Sequence, residues 1–363
     1  VIPALPDFPW DSLVADRELA ESHPDGIVDL SVGTPVDPID PAVRAALAGP
    51  AADEPGYPTT HGPLALRTEI AGSLRRRFGV TVDPVAVLPT IGSKELVAWL
   101  PTLLGLGPDD TVVIPELAYP TYEVGALLAR TRVVRSDSTA ALGPARPGLI
   151  WINSPSNPTG RVLPPEHLRK VVDWARERGT VVASDECYLS LSDGATSVLH
   201  PEVCGGSTEG LLAVHSMSKT SGLAGYRAGF VTGDPTLVAS LLEVRKHAGM
   251  IVARPVQAAM LVAARDDAPV TAQAARYAAR RGRLRAALEA HGMSIEHSEA
   301  GLYLWATDGR SGRAVVHDLA GLGILVAPGE FYGPSGGRHV RVALTATDER
   351  IDAAVARLGA ARP

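Results

Sequence analysis

Short runs of β-branched and apolar residues recur between about residues 85 and 233, separated by stretches with helical periodicity. The runs "TVVIPE" (111–116), "TRVVRSD" (131–137), "LIWINS" (149–154), "TVVASDE" (180–186) and "LLAVHS" (211–216) predict strands that are apolar on both faces. Strands of this kind, spaced by helices, predict a mostly parallel sheet in an α/β fold. Between two of them, "PPEHLRKVVDWARERG" opens on proline and closes on Gly179, which are helix start and stop signals.

After about residue 234 the texture changes. "APVTAQAARYAARRGRLRAALEAHG" keeps helical periodicity up to Gly292, and "GLYLWAT", "GILVAP" and "HVRVALT" then predict the alternating strands of a smaller α+β unit. In isolation the arginines of the helical stretch resemble a nucleic-acid patch. Glu289 and the net charge of -6 favour a solvated helix face instead. The first forty or so residues, rich in Pro and Asp, are expected to pack on this second unit. No internal repeat or low-complexity linker is present.

A chain of 363 residues has room for two domains and a large core, and 45% hydrophobic with 20% charged residues is an ordinary balance for a soluble globular protein. Its acidic charge gives no electrostatic case for nucleic acid or an anionic membrane as partner, so a small polar metabolite fits better. The two cysteines, Cys187 and Cys204, form no CxxC pair and lie in no metal-spaced His cluster, which predicts no metal site and two buried small hydrophobes. The opening "VIPALPDFPWDSL" lacks the flank and apolar run of a signal peptide, and no segment has the length of a membrane span, so a cytoplasmic protein is expected.

Ligands of parallel sheets sit at the carboxyl ends of the strands. Three polar clusters fall there: "NSPSNPTG" (153–160), "SDECY" (184–188) and "HSMSK" (215–219). In the last, Lys219 admits three chemical readings beside that of a surface lysine. Ser216-Met-Ser-Lys219 matches the S-x-x-K of penicillin-binding enzymes, but no S-D-N or K-T-G follows it. Lys219-Thr220 resembles the end of a P-loop, yet Ser218 stands where that motif needs glycine. The third reading makes the lysine a nucleophilic amine that forms a Schiff base with a carbonyl cofactor such as pyridoxal phosphate.

Asp185 ends an apolar strand, where an unpaired carboxylate is costly to bury, and so requires a cationic partner. A pyridinium nitrogen is one, and Tyr188 and Asn157 at neighbouring strand ends could then hydrogen-bond the phenolic oxygen of the same ring. Taken singly, Tyr188 also reads as a core aromatic and Asn157 as a turn former before Pro158. Gly92 and Ser93 in "TIGSKELVAWL" lie where a helix begins, so free N–H groups and the helix dipole point at an anion. Ser216 and Arg227 offer a hydroxyl and a forked guanidinium for that anion. The charge of Lys94 in the first helical turn opposes the dipole, so either an anion compensates it or its side chain reaches to water.

The ordered set "GYPTTHG", "GSKE", "YPTY", "NPTG", "SDECY", "SMSKTSGLAGYRAG" and "RVALT" resembles the class I/II, fold-type I pyridoxal-phosphate aminotransferases over essentially the whole chain. The resemblance implies a large cofactor-binding domain (41–248) with a mostly parallel seven-stranded sheet, and a small α+β domain made of 1–40 and 249–363. It implies Lys219 as the lysine that carries the cofactor, Asp185 at the pyridine nitrogen, and Tyr188 with Asn157 at the phenolic oxygen. Tyr119 would stack on the ring. Gly92, Ser93, the backbone of Lys94, Ser216 and Arg227 would hold the phosphate. Tyr57 would reach the phosphate of a neighbouring subunit, which implies a homodimer with shared active sites. Arg341 would clamp the substrate α-carboxylate, helped by backbone near Gly33.

Within the family, "LPTIGSKELVAWLPTLLGLG", "PELAYPTYEVGA" and "EAGLYLWAT" look most like N-succinyl-diaminopimelate aminotransferases of bacterial lysine synthesis, with glutamate as the implied amino donor and a 2-oxo acid as its partner substrate. Lys94 is the candidate for the distal carboxylates of such a substrate. An aspartate or broad-specificity aromatic aminotransferase is the alternative, and a β-eliminating lyase on the same fold is a further one.

Overall fold

The computed structural model describes residues 5–360. The five apolar runs, with two further segments, build one sheet: β1 Val87–Ile91, β2 Thr111–Ile114, β3 Arg132–Arg135, β4 Leu149–Asn153, β5 Val181–Asp185, β6 Leu211–Ser216 and β7 Ala228–Gly233. Across the sheet the order is β1-β7-β6-β5-β4-β2-β3. Only β7 runs against its neighbours, β1 and β6; the other pairings are parallel. The strands are apolar at successive positions because alternate residues serve different cores. Ile150 and Ile152 pack with Leu66, Val172 and Met260, whereas Leu149 and Trp151 pack with Leu96, Tyr122 and Leu241.

The helix Arg254–Arg265 belongs to the first of these cores. Val256, Ala259, Met260 and Ala263 stand at helical spacing on one stripe, and all are buried there. The sheet's packing therefore extends past residue 248.

A second sheet contains β8 Ser294–Glu296, β9 Tyr303–Thr307, β10 Ala327–Pro328 and β11 Val340–Ala343, in the antiparallel order β10-β11-β9-β8. Three of its features differ from the sequence pattern. "GILVAP" divides: Ile324–Leu325 pairs in parallel with Val28–Asp29, and only Ala327–Pro328 joins β11. β11 is buried at every position rather than alternately, and so is β9 up to Ala306. The third concerns the helix Ala268–Ala290, whose arginines are neither free nor merely solvated. Arg280 is buried between Asp37 (2.7 Å) and Asp348 (3.1 Å), and Arg283 holds Asp348 and Asp352. Those guanidiniums are occupied by the chain itself. Leu13, Ala20, Val28 and Leu30 share this core with Leu284, Leu304, Val342 and Ile351, so the first residues described pack beside the last.

No helix among the described residues is long and apolar enough to cross a membrane. No group of three or more His, Cys, Asp or Glu among them could hold a metal ion.

Candidate active site

Strands β2, β4, β5 and β6 end on one edge of the large sheet, and the chain direction across the sheet reverses between β2 and β4. The polar residues gather at that edge, as the crevice at such a switch point requires.

Asp185 closes β5 and is 6% exposed. Its Oδ2 accepts from Tyr122 Oη at 2.8 Å and its Oδ1 from the Cys187 backbone N–H at 3.2 Å. Burial pushes its pKa up in spite of those hydrogen bonds. Among the described residues no cation pairs with it. Tyr122 is fully buried, stacked on Trp151 with ring centroids 4.9 Å apart, and burial together with the Asp185 charge drives its hydroxyl pKa well up. It therefore stays a neutral donor. The motif "YPTY" points to Tyr119, and the structure adds Tyr122, whose ring meets that of Tyr119 edge-on at 5.9 Å. The three-residue spacing at a helix start was the available signal.

Lys219 follows β6, and its Nζ donates to the Gly33 carbonyl. Burial pulls the amine pKa down, and the charges of Arg341 and Arg227 add to the effect, so a larger fraction is the nucleophilic free amine. Gly33 has no room for a side chain: a Cβ there would overlap Tyr303 Oη and lie 2.9 Å from Tyr303 Cζ.

Gly92 begins the helix Gly92–Leu103 with φ of 72°. A Cβ at Gly92 would stand 2.5 Å from Arg227 Nη2, so the guanidinium lies directly over the helix start. Arg227 itself takes φ of 57° and donates from Nη1 to Ala224 O at 2.8 Å. Ser93 Oγ accepts from Cys187 Sγ at 3.2 Å, which links the helix start to the Asp185 loop. Cys187 is thus half-buried, packed against the core of the second sheet and hydrogen-bonded to Ser93, whereas Cys204 is buried. Ser216 ends β6 opposite Gly229, and its Oγ accepts from Ser218 N at 3.1 Å. Lys94 is exposed, with its Nζ 5.9 Å from the Tyr119 ring and 6.0 Å from that of Phe8. That charge leans on two aromatic faces at the rim.

Arg341, on β11, is 2% exposed. Nη1 donates to Asn157 Oδ1 at 3.0 Å and Nη2 to Ser31 O at 2.7 Å; Nε has no partner. The rings of Tyr303, Tyr332 and Trp10 surround the guanidinium at 4.0, 4.9 and 5.8 Å. No carboxylate among the described residues pairs with it. Asn157 is set by Asn153, whose Oδ1 accepts the Asn157 N–H at 2.7 Å while its Nδ2 donates to Asp185 O at 2.9 Å. Asn153 lies in a strand-end motif, and its side chain joins two of the clusters. Tyr188 is buried, with its Oη 3.3 Å from Tyr303 Oη.

Tyr303 thus meets both Tyr188 and Arg341, Arg341 meets Asn157, Asn153 links Asn157 to Asp185, and Cys187 links Asp185 to Ser93 at the helix start. Tyr57 is outside these contacts and is 94% exposed.

The profile of aminotransferase class I and II matches residues 25–358. The chain belongs to this family of transaminases, and its cofactor is pyridoxal phosphate. It is similar to a probable aminotransferase of Mycobacterium tuberculosis, at 62% identity over 358 residues, covering 98% of this chain and 85% of the relative. It is also similar to the 4-dedimethylamino-4-oxo-anhydrotetracycline transaminase OxyQ of Streptomyces rimosus, at 57% identity over 356 residues and 98% and 99% coverage. Among solved structures, a probable N-succinyldiaminopimelate aminotransferase from Thermus thermophilus superposes with a TM-score of 0.86 at 28% identity, over 97% of this chain and 99% of that one. The site suits the cofactor chemically. It has a buried carboxylate with no cation beside it among the described residues, a lysine amine with lowered pKa, and a helix start beneath a guanidinium where a side chain would intrude.

Proposed function

We propose that this chain moves an amino group between glutamate and a 2-oxo acid, with N-succinyl-2-amino-6-oxopimelate and N-succinyl-LL-diaminopimelate as the favoured acceptor and product. Lys219 holds the cofactor through its amine, Asp185 faces the ring nitrogen, and Tyr188 and Asn157 face the phenolic oxygen. Tyr119 covers the ring, while Gly92, Ser93, the Lys94 backbone, Ser216 and Arg227 hold the phosphate. When bound, the cofactor supplies an electron-accepting ring for charge developing at the substrate α-carbon. Lys219, with its lowered pKa, is the group suited to move the proton at that carbon.

The observation that carries the transamination reading is Arg341. A buried guanidinium that no carboxylate among the described residues pairs with, and whose Nε–H has no partner, is a receptor for a ligand carboxylate, and every α-amino acid brings one. For the succinylated substrate the support is Lys94 at the rim, a cation available to a distal carboxylate. The similar structure from Thermus thermophilus is that of a probable N-succinyldiaminopimelate aminotransferase.

A second reading rests on a different observation. Phe8, Trp10 and Phe331 form a ladder with centroids 5.4 and 5.3 Å apart, and Trp10 also borders Arg341. A flat ring system can stack on such a wall, and OxyQ is named for a polycyclic ketone. Aspartate or aromatic amino acids, and β-elimination, complete the alternatives. A half-reaction screen distinguishes them: each amino acid is mixed with holoenzyme and conversion of the cofactor absorbance is followed. Rapid conversion by N-succinyl-LL-diaminopimelate and glutamate supports the first reading. Conversion by aromatic donors alone, or release of pyruvate, replaces it.

The shared site is part of the proposal: the chain works as a homodimer in the cytoplasm, and Tyr57 serves the partner subunit.

A further inference from the structure

Tyr303 opens β9 and touches three parts of the site at once. Its ring lies 4.0 Å from the Arg341 guanidinium and meets Tyr188 edge-on, with centroids 5.8 Å apart. Its hydroxyl stands 3.3 Å from Tyr188 Oη. The same hydroxyl fills the space that any side chain at residue 33 would need, and the Gly33 carbonyl holds the Lys219 amine. The residue is 3% exposed, so bulk water does not compete for these contacts.

A phenol has one proton to donate and two lone pairs to accept with. If Tyr188 donated to Tyr303, it would turn lone pairs toward an anionic phenolic oxygen. If Tyr303 donates, the Tyr188 proton is free for that oxygen, and each hydrogen bond polarises the next. We infer that Tyr303 is a positioning residue whose hydroxyl donates to Tyr188 Oη and thereby directs and strengthens the Tyr188 hydrogen bond to the phenolic oxygen of the cofactor. This rests on the assignment of Tyr188 to that oxygen. The ring of Tyr303 has a separate task, to support Arg341, so a phenylalanine at this position divides the two.

The test is a pH titration of the visible absorbance of the holoenzyme without substrate, for wild type, Tyr303→Phe, Tyr188→Phe and the double variant. A weaker donor leaves more charge on the phenolic oxygen, so the proton it shares with the lysine nitrogen is held more tightly. The midpoint should rise by about half a pH unit to one unit in Tyr303→Phe, the effect of one ordinary hydrogen bond. It should rise further in Tyr188→Phe, and the double variant should match Tyr188→Phe. The KM for glutamate should stay within about twofold in Tyr303→Phe while kcat falls, because the ring under Arg341 is kept. Replacing Tyr303 by 3-fluorotyrosine, a stronger donor of nearly the same shape, should move the midpoint down, which covers the case of a poorly folded phenylalanine variant.

An unmoved midpoint in both Tyr303 variants, or a double variant showing the sum of the single shifts, overturns the inference and leaves the Tyr188 assignment standing. An unmoved midpoint in Tyr188→Phe overturns both. Because no substrate is added, a wrong choice of amino acceptor leaves the titration unaffected.

Discussion

Tyr122 Oη donates to Asp185 Oδ2 at 2.8 Å, and among the described residues that carboxylate has no cation beside it. The hydrogen bond holds the carboxylate in one orientation but cannot neutralise it, so the charge remains available to a ligand. Asp185→Asn should keep the shape and lose the charge, lowering kcat/KM by about a hundredfold or more, as loss of a preorganised electrostatic partner does. Tyr122→Phe should weaken cofactor binding by about tenfold to a hundredfold, the range for a hydrogen bond to a charged group. Near wild-type kcat in Asp185→Asn, with normal cofactor affinity, would remove Asp185 from the ring nitrogen.

Lys219 is the lysine whose amine sits half-buried at the strand ends, against Gly33 O. Borohydride reduction of the holoenzyme followed by peptide mapping should put the cofactor label on Lys219, and Lys219→Ala should abolish transamination. A label on any other lysine would contradict the assignment.

Arg341 and Lys94 should separate by substrate. Arg341→Lys replaces a planar fork with a point charge, so kcat/KM should fall for every amino donor. Lys94→Ala should lower kcat/KM for N-succinyl-LL-diaminopimelate by roughly tenfold and spare glutamate more, because the succinyl carboxylate lies farther from the α-carbon than the γ-carboxylate of glutamate. Equal losses for the two substrates would return Lys94 to a solvated side chain.

Glu186 and His215 give a pH dependence of stability. Glu186 Oε2 and His215 Nε2 lie 3.5 Å apart, both buried. Burial pushes the Glu186 carboxyl from 4.5 up to about 7 and the His215 ring from 6.5 down to about 3. Between pH 4.5 and 7 the folded chain therefore keeps a Glu186 proton that the unfolded chain has lost, and this contribution falls as pH rises. For His215 the sign is opposite: between pH 3 and 6.5 the unfolded chain holds the extra proton, so stability falls as pH drops. Glu186→Gln removes the first effect. Its stability relative to wild type should improve between pH 5 and pH 8 by an amount on the order of 3 kcal/mol. Melting temperatures at the two pH values measure this, and an equal difference at both would mean that Glu186 does not titrate in that window.

Tyr57 is 94% exposed on the single chain. If it completes a partner's site, sedimentation should give a dimer, and mixing inactive Lys219→Ala subunits with Tyr57→Ala subunits should restore activity. In the mixed dimer one site then has both residues intact. No recovery on mixing, or a fully active monomer, would end the shared-site proposal.

The strands were legible in the sequence because a sheet covered on both faces demands apolar residues at consecutive positions. Leu149 to Ile152 meet that demand whichever helices cover them. Gly92 could be read as well, since a helix start over an anion favours a residue without a Cβ. The strand-end motifs containing Asp185 and Lys219 were visible for a similar reason: loop chemistry is written in neighbouring residues. Contacts across the fold were not written that way. Arg341 meets Ser31 across 310 residues, Arg280 meets Asp37 across 243, and Tyr303 meets Tyr188 across 115. Periodicity marks which side of an element is buried and says nothing about which distant side chain it will meet. That pairing depends on the relative placement of two sheets and on rotamers chosen during packing. For this reason Arg280 of the long helix, whose arginines look like a solvated face, turns inward to Asp37 and Asp348. For the same reason Tyr303, an ordinary aromatic in a strand, came to stand between the lysine's carbonyl partner and the tyrosine beside it.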